Sequence, residues 1–177
     1  MRNAIRVLTF FVASLVLLVG VVGLIGLALP RHHHAASRAA YRAPRDSVWA
    51  ALSDMEHSPA WRSDVTGVRR LADRDGRPVW EQQTKEGPWA LELTVIEPPS
   101  RLVATVADTT QGFGGTWTYT LADSNDGTVV MLSEDGFVDH PLFRFLARFV
   151  FGLHGAQMQY LRDLGRRFGE KVTPRQA

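Results

Sequence analysis

The sequence predicts an α+β domain: a curved antiparallel sheet of about seven strands wrapped around one long carboxy-terminal helix, preceded by one transmembrane helix. Three observations lead there. An uncharged apolar run from Val7 to Leu29 dominates the first thirty residues, period-two segments separated by turn residues fill the middle, and a helical apolar stripe closes the chain. A sheet with a single long helix buries the apolar faces of both only if it curves around that helix.

From Val7 to Leu29 there is no charged residue, and 16 of these positions are Val, Leu, Ile or Phe. As a helix the run spans roughly 35 Å against a hydrocarbon core of about 30 Å. It exceeds the usual signal-peptide core, and Pro30-Arg31-His32 is a poor cleavage context, so residues 1–30 read as an uncleaved single-pass anchor. Arg2 and Arg6 on one flank oppose Arg31, Arg38, Arg42 and Arg45 on the other, and they assign no side of the membrane to the domain. Gly20, Gly23 and Gly26 read as ordinary glycine use in a span.

Residues 31–38 read as a linker. Three adjacent histidines, His32 to His34, cannot all face one ion, so no metal site is expected there, and a solvated flank is. Ala39 to Ala43 suits a first strand. Val48, Ala51, Leu52 and Met55 then recur at helical spacing behind Pro44, and Ser58-Pro59 starts a second short helix bearing Trp61 and Val65. Asp54, Glu56 and His57 look like an acid–base set, but consecutive residues at a helix end point apart, so this stretch reads as structure. Strand candidates follow at 66–72, 78–85, 89–97, 101–108, 113–122 and 128–138. The turns between them, such as Glu86-Gly87-Pro88, Pro98-Pro99-Ser100 and Asn125-Asp126-Gly127, imply a meander. Residues 141–169 read as one long helix with Leu142, Leu146, Val150, Leu153, Leu161, Leu164 and Phe168 on one face, and 171–177 as a flexible tail.

Cysteine is absent, which excludes disulfide frameworks and thiolate chemistry. The arginine-rich, lysine-poor composition suggests a GC-rich bacterial genome. With a net charge of +2 and no basic run or stripe, nucleic acid is not an expected partner. No nucleophile triad, metal spacing or nucleotide loop can be assembled, and no cofactor is expected.

The stretches APRDSVWAALSDMEHSPAWRSDV, GGTWTYTLADSNDGTVV and EDGFVDHPLFRFLARFVFG resemble the START-like SRPBCC superfamily, in particular membrane-anchored members of the polyketide cyclase/dehydrase type. The resemblance covers about residues 38–170. It implies the helix-grip fold over 39–170 and an apolar cavity between helix and sheet.

Alternation places Phe113, Trp117, Tyr119 and Leu121 on one face of their strand, and Trp89, Leu91, Leu93 and Val95 on one face of theirs. Glu134 follows Val130 and Leu132. It either points inward, needing a partner, or reaches water or an arginine at the sheet end. Gln157 and Tyr160 fall within the helix's apolar face, and Gly152, Gly155 and Ala156 leave room for a strand or a ligand. The expected ligand-binding set is Leu91, Leu93, Phe113, Trp117, Tyr119, Glu134, Leu153, Gln157 and Tyr160.

The leading functional expectation is a non-catalytic binding or transfer module for a lipid or other hydrophobic small molecule at the membrane. A cyclase or dehydratase using Glu134 or His154 with Tyr119 is the alternative, and a scaffold for another membrane protein the third. Phe145, Phe149, Val150 and Phe151, flanked by Arg144 and Arg148, cover a wider arc than core packing needs; they either pack under neighbouring loops or touch the membrane interface.

Overall fold

In the computed structural model, which describes residues 2–85 and 87–177, the apolar run is one continuous helix, α1 (Arg2–Ala28). Met1, within the expected anchor, and Glu86, within an expected turn, lie outside the described residues. From Thr9 to Ala28 the helix is long and apolar enough to cross a membrane, and the rest of the protein leaves it almost wholly exposed. Contact with the rest of the chain is made at its carboxy-terminal end. There Gly26 lies so close to Pro141 that a Cβ would meet the proline carbonyl at 2.0 Å.

Eight strands form one antiparallel sheet. They are β1 (His32–Tyr41), β2 (Val65–Arg70), β3 (Val79–Thr84), β4 (Gly87–Glu97), β5 (Arg101–Val106), β6 (Phe113–Ser124), β7 (Gly127–Val138) and β8 (Arg175–Gln176), in the order β2-β3-β4-β5-β6-β7-β1-β8. The meander from β2 to β7 follows the expected segments to within a few residues. Gly127 closes the last hairpin at φ +145°, packed where a Cβ would lie 2.2 Å from the Tyr41 carbonyl, so only glycine fits.

Two segments differ from expectation. Residues 31–38, expected as a linker, are strand from His32 onward, and β1 pairs with β7 over ten residues. Beyond His33, its inward side chains are Ala35, Ser37, Ala39 and Tyr41, all buried. Three of these four are small because a helix crosses directly over them, and small side chains leave no apolar signature. Within the expected tail, Arg175 and Gln176 pair with Arg38 and Ser37 as an eighth strand.

The expected long helix is broken. Helix α3 (Pro141–Leu146) passes into a π turn (Ala147–Phe151), the chain reverses at Gly152 with φ +74°, and α4 (Gly155–Arg167) follows. A left-handed backbone angle is open to glycine at little cost and ends a helix. Consequently Leu142 and Val150 are exposed, while Leu161 and Leu164, on α4, are fully buried.

Between β1 and β2 lie α2 (Arg45–Ser53) and a single 3-10 turn (Ser58–Ala60), where a second short helix was expected. Val48, Leu52 and Met55 enter the core, and Asp54 closes α2 and binds His57 Nδ1 at 2.9 Å, a local pair facing water. The core fills the concave face beneath α4, where Leu93, Leu102, Leu121, Val130 and Leu132 meet Leu161 and Leu164. This is the helix-grip arrangement.

One carboxylate fixes α4 to the end of the 3-10 turn. Asp163 is fully buried and accepts hydrogen bonds from Ser63 N and Oγ, each at 2.7 Å, from Gln159 Nε2 at 2.6 Å, and from Arg166. Asp163→Ala strands the Ser63 donors, and we expect it to cost about 3 kcal/mol. Denaturant unfolding of the full chain in detergent measures this, with Arg166→Ala, whose guanidinium is half exposed, costing well under half as much.

Candidate functional site

Because the core fills one end of the concave face, the other end is left hollow. A cavity of about 460 Å³ lies there, walled by Trp89, Leu91, Ala104, Val106, Phe113, Trp117 and Tyr119, with Ala156 of α4 at its rim. The walls follow from sheet register. Gln82 stands opposite Trp89, Trp80 opposite Leu91, Leu91 opposite Val106, and Trp117 opposite Glu134, so all of these point to the same face. Trp89 packs edge-on against Phe113, with ring centroids 6.4 Å apart.

Beneath the cavity is an aromatic floor. The Tyr160 ring lies 5.3 Å from Tyr119, 5.9 Å from Trp117 and 5.3 Å from Trp61. Arg62 places its guanidinium 5.1 Å over the Tyr160 ring, a cation–π contact in a desolvated setting. Its charge is balanced by Asp64, which accepts from Nε at 3.1 Å and from Nη2 at 2.6 Å. Burial works against the Arg62 charge, but the bond to Asp64 and the charges nearby outweigh it and hold the guanidinium above its usual value.

The remaining Arg62 nitrogen donates to Gln82 Oε1 at 3.2 Å. A guanidinium can only donate, so the carbonyl of Gln82 must face it and the amide NH2 must face away. Gln82 is fully buried, and its Nε2 has no partner among the described residues. It is a hydrogen-bond donor, without an acceptor, in the cavity lining.

Glu134 points inward and lines the cavity, with His33 Nε2 3.2 Å from its carboxylate. His34, on the opposite face of β1, pairs instead with Asp135 at 2.7 Å. Alternation therefore splits the histidine run between two carboxylates on two faces.

Of the expected ligand-binding set, Leu91, Phe113, Trp117, Tyr119 and Glu134 lie together on the cavity wall. Leu93 is buried in the filled end of the core, and Tyr160 forms the floor. Gln157 is buried, but its Nε2 donates to the Ala35 carbonyl at 3.0 Å, tying α4 to β1. Leu153 falls in the break before α4 and does not reach the wall, because the helix that would have carried it inward ends at Gly152. His154 sits beside Ser37, Nδ1 to Oγ 3.3 Å, away from the lining residues. Arg62, Asp64 and Gln82 are polar lining residues that sequence reasoning missed, as are Thr84, Gln111 and Thr116. Gln82 shares the inward alternation of Trp80, and that position was the available signal. A larger recess of about 900 Å³, between β1 and residues 169–175, is lined chiefly by charged and polar groups such as Arg38, Arg42, Glu170 and Lys171. It lacks the apolar walls of the inner cavity.

Residues 42–161 match the family described as AHSA1, activator of Hsp90 ATPase homolog 1-like protein, and the chain belongs to it. Among solved structures, a START superfamily protein from Mycobacterium smegmatis aligns at 15% identity with a TM-score of 0.59, covering 78% of this chain and 97% of that one. The Zhui aromatase/cyclase from Streptomyces sp. R1128 aligns at 14% identity and TM-score 0.57, covering 76% and 90%. The di-domain ARO/CYC StfQ of the steffimycin biosynthetic pathway aligns at 13% identity and TM-score 0.63, and this chain covers 78% of itself but only 52% of that protein. These likenesses establish a START-like fold. No curated protein matches the sequence.

All three tyrosines of the chain are buried. Burial, reinforced by the neighbouring Tyr160, pushes the Tyr119 hydroxyl well above its usual value. Burial pushes Tyr160 up to about 12 against the opposing pull of Arg62, and it raises Tyr41 as well. Raised folded-state values mean stability that is complete below pH 10 and lost as pH rises through the folded-state values. Absorbance at about 295 nm should therefore show no phenolate near pH 10.5, where exposed tyrosines are largely ionised. The signal should appear cooperatively with unfolding at higher pH.

Proposed function

We propose that this AHSA1-family chain is a membrane-tethered binding module that holds an apolar small molecule or lipid in the cavity between sheet and α4. Residues 1–30 are the tether, and the domain of about 39–170, extended backward by β1, is the binding unit. The observation that carries this reading is the pairing of an apolar hollow with one buried polar cluster at its base. Its volume lies within the about 300–1,000 Å³ usual for small-molecule sites, and sparse polar groups among aromatic walls are the usual means of orienting a ligand. Asp64 neutralises Arg62, so the cluster offers neutral donors, the Gln82 amide and the protonated tyrosines, more than a free charge. That favours an uncharged ligand with a carbonyl or ether oxygen at its buried end. The long apolar helix α1 favours a source in the bilayer.

A second reading is a cyclising or dehydrating enzyme. It is favoured by Glu134 and Tyr119 sharing the cavity wall and by the aromatase/cyclases among the structural neighbours. In that case Glu134 would move the proton, with His33 as its partner, and Tyr119 would orient the substrate. His154 has no part in it.

Native mass spectrometry of the detergent-extracted full chain tests the binding reading. We expect a co-purified apolar molecule. Ala156→Trp plugs the rim without entering the core and should lower occupancy at least about tenfold, the loss of about 1.4 kcal/mol of affinity. Met131→Trp, at an exposed position, should leave it unchanged. An unliganded chain, or equal occupancy in the rim and surface variants, rejects the cavity as the site.

A further inference from the structure

The segment between β7 and α4 carries large apolar side chains that the described residues leave mostly uncovered. Phe143, Phe149, Val150 and Phe151 are between 58% and 71% exposed, although α1 packs against the same segment. Contiguous exposed aromatics on a small domain mark an interaction surface. Their position identifies the partner.

Three contacts lock α3 to the end of α1. Pro141 lies against Gly26. Arg31 pairs with Asp139, Nε to Oδ1 at 3.1 Å. Arg144 donates to the carbonyls of Gly26 at 3.3 Å, Leu29 at 3.0 Å and Asp139 at 2.7 Å. The last carbonyls of a helix have no intrahelical partner and carry the negative end of its dipole, so an arginine there is a helix cap. Thus α3 begins where the apolar span ends. From Arg144 to Phe151 is seven residues, no more than about 11 Å as helix, so the phenylalanines lie within one headgroup layer of that end. Arg148, exposed beside Phe149, is placed to reach phosphate while its neighbours face acyl chains.

The cavity opens on this same end of the domain. β5 ends at Val106 and β6 begins at Phe113, both on the cavity wall, while β1 begins at His32 directly after α1. The loop between β5 and β6 is joined to the start of α3, since Asp139 N donates to the Gly112 carbonyl at 2.8 Å.

We propose that Phe143, Phe149, Val150 and Phe151 insert into the bilayer interface beside α1 and thereby set the mouth of the cavity against the lipid surface. The proposal rests on the reading of α1 as a membrane span. An interfacial segment of this kind buries its apolar face about 5–10 Å into the headgroup–acyl boundary.

The chain has no cysteine, so single-cysteine variants report on one position each. Full chains carrying Phe149→Cys, Phe151→Cys, Leu17→Cys or Asp126→Cys are labelled with a nitrobenzoxadiazole fluorophore. They are reconstituted in phosphatidylcholine vesicles with spin-labelled lipids. At interfacial depth, labels at 149 and 151 should lose more than about half of their fluorescence to a shallow spin label. The label at 17 should be quenched by a deep one, and the label at 126, in the β6–β7 hairpin at the far end of the sheet, by neither. If 17 is quenched while 149 and 151 match 126, the tether stands and the proposal is overturned. If 17 is not quenched, the tether reading fails and the proposal with it. Blue-shifted but unquenched emission at 149 and 151 assigns the surface to protein and also overturns it.

Discussion

Helix α4 has 13 residues and is therefore about 20 Å long, whereas β6 and β7 have 12 residues each and run for about 40 Å. A helix of that length covers half of the concave face it lies across. The covered half is a packed core in which Leu132, Leu161 and Leu164 are fully buried. The uncovered half has aromatic and aliphatic side chains pointing at one another across a space that no helix fills. The cavity follows from this mismatch between helix and strand length rather than from a set of residues that shape a pocket individually.

A hollow end exposes whatever polar groups stand at its base, and this sets the chemistry of the Arg62 cluster. A buried guanidinium without a counter-charge would be strongly destabilising, and the bidentate pairing with Asp64 removes that penalty. Gln82 accepts from the remaining nitrogen of Arg62 and is left with its amide hydrogens unmet among the described residues. A buried unmet donor costs about 1–3 kcal/mol. A polar ligand atom at the base of the cavity would recover that energy. Burial keeps the tyrosines beside it neutral, so they add hydrogen-bonding capacity without charge.

Much of this fold was legible because the strands from β2 to β7 alternate cleanly and are punctuated by glycine and proline turns. The stretch Val48–Val65, rich in functional-looking side chains, reads in sequence as structure, and Val48, Leu52 and Met55 do enter the core, but Arg62 and Asp64 line the cavity, and the Arg62 partners Gln82 and Tyr160 are distant in sequence. β1 was misplaced because its inward residues are small: packing under a helix selects for alanine and serine, which carry no periodic apolar signal. The helix break was missed for the opposite reason. The apolar stripe from Leu142 to Phe168 continues through Gly152 in sequence, and period alone does not separate a buried stripe from one that faces outward. Five members of the expected ligand set share the cavity wall because strand alternation is rigid. On the helix side Leu153 lies where the helix is interrupted, as does His154, the acid–base candidate of the enzyme reading, and Gln157 is instead engaged with the Ala35 carbonyl.

That interruption joins the two halves of the molecule. Had the helix continued from Pro141 to Arg167, its first three turns would have extended across the open half of the sheet, and the volume now lined by Trp89 and Phe113 would be core. With φ +74° at Gly152, those turns swing away from the sheet instead. They become α3 and the π turn, and their apolar side chains, no longer needed for the core, lie against α1 or remain exposed. One backbone reversal thus uncovers the cavity and supplies the surface that meets the end of the apolar helix. A side chain at position 152 that disfavours the left-handed angle would act on both at once, by favouring a continuous helix that extends over the open half of the sheet.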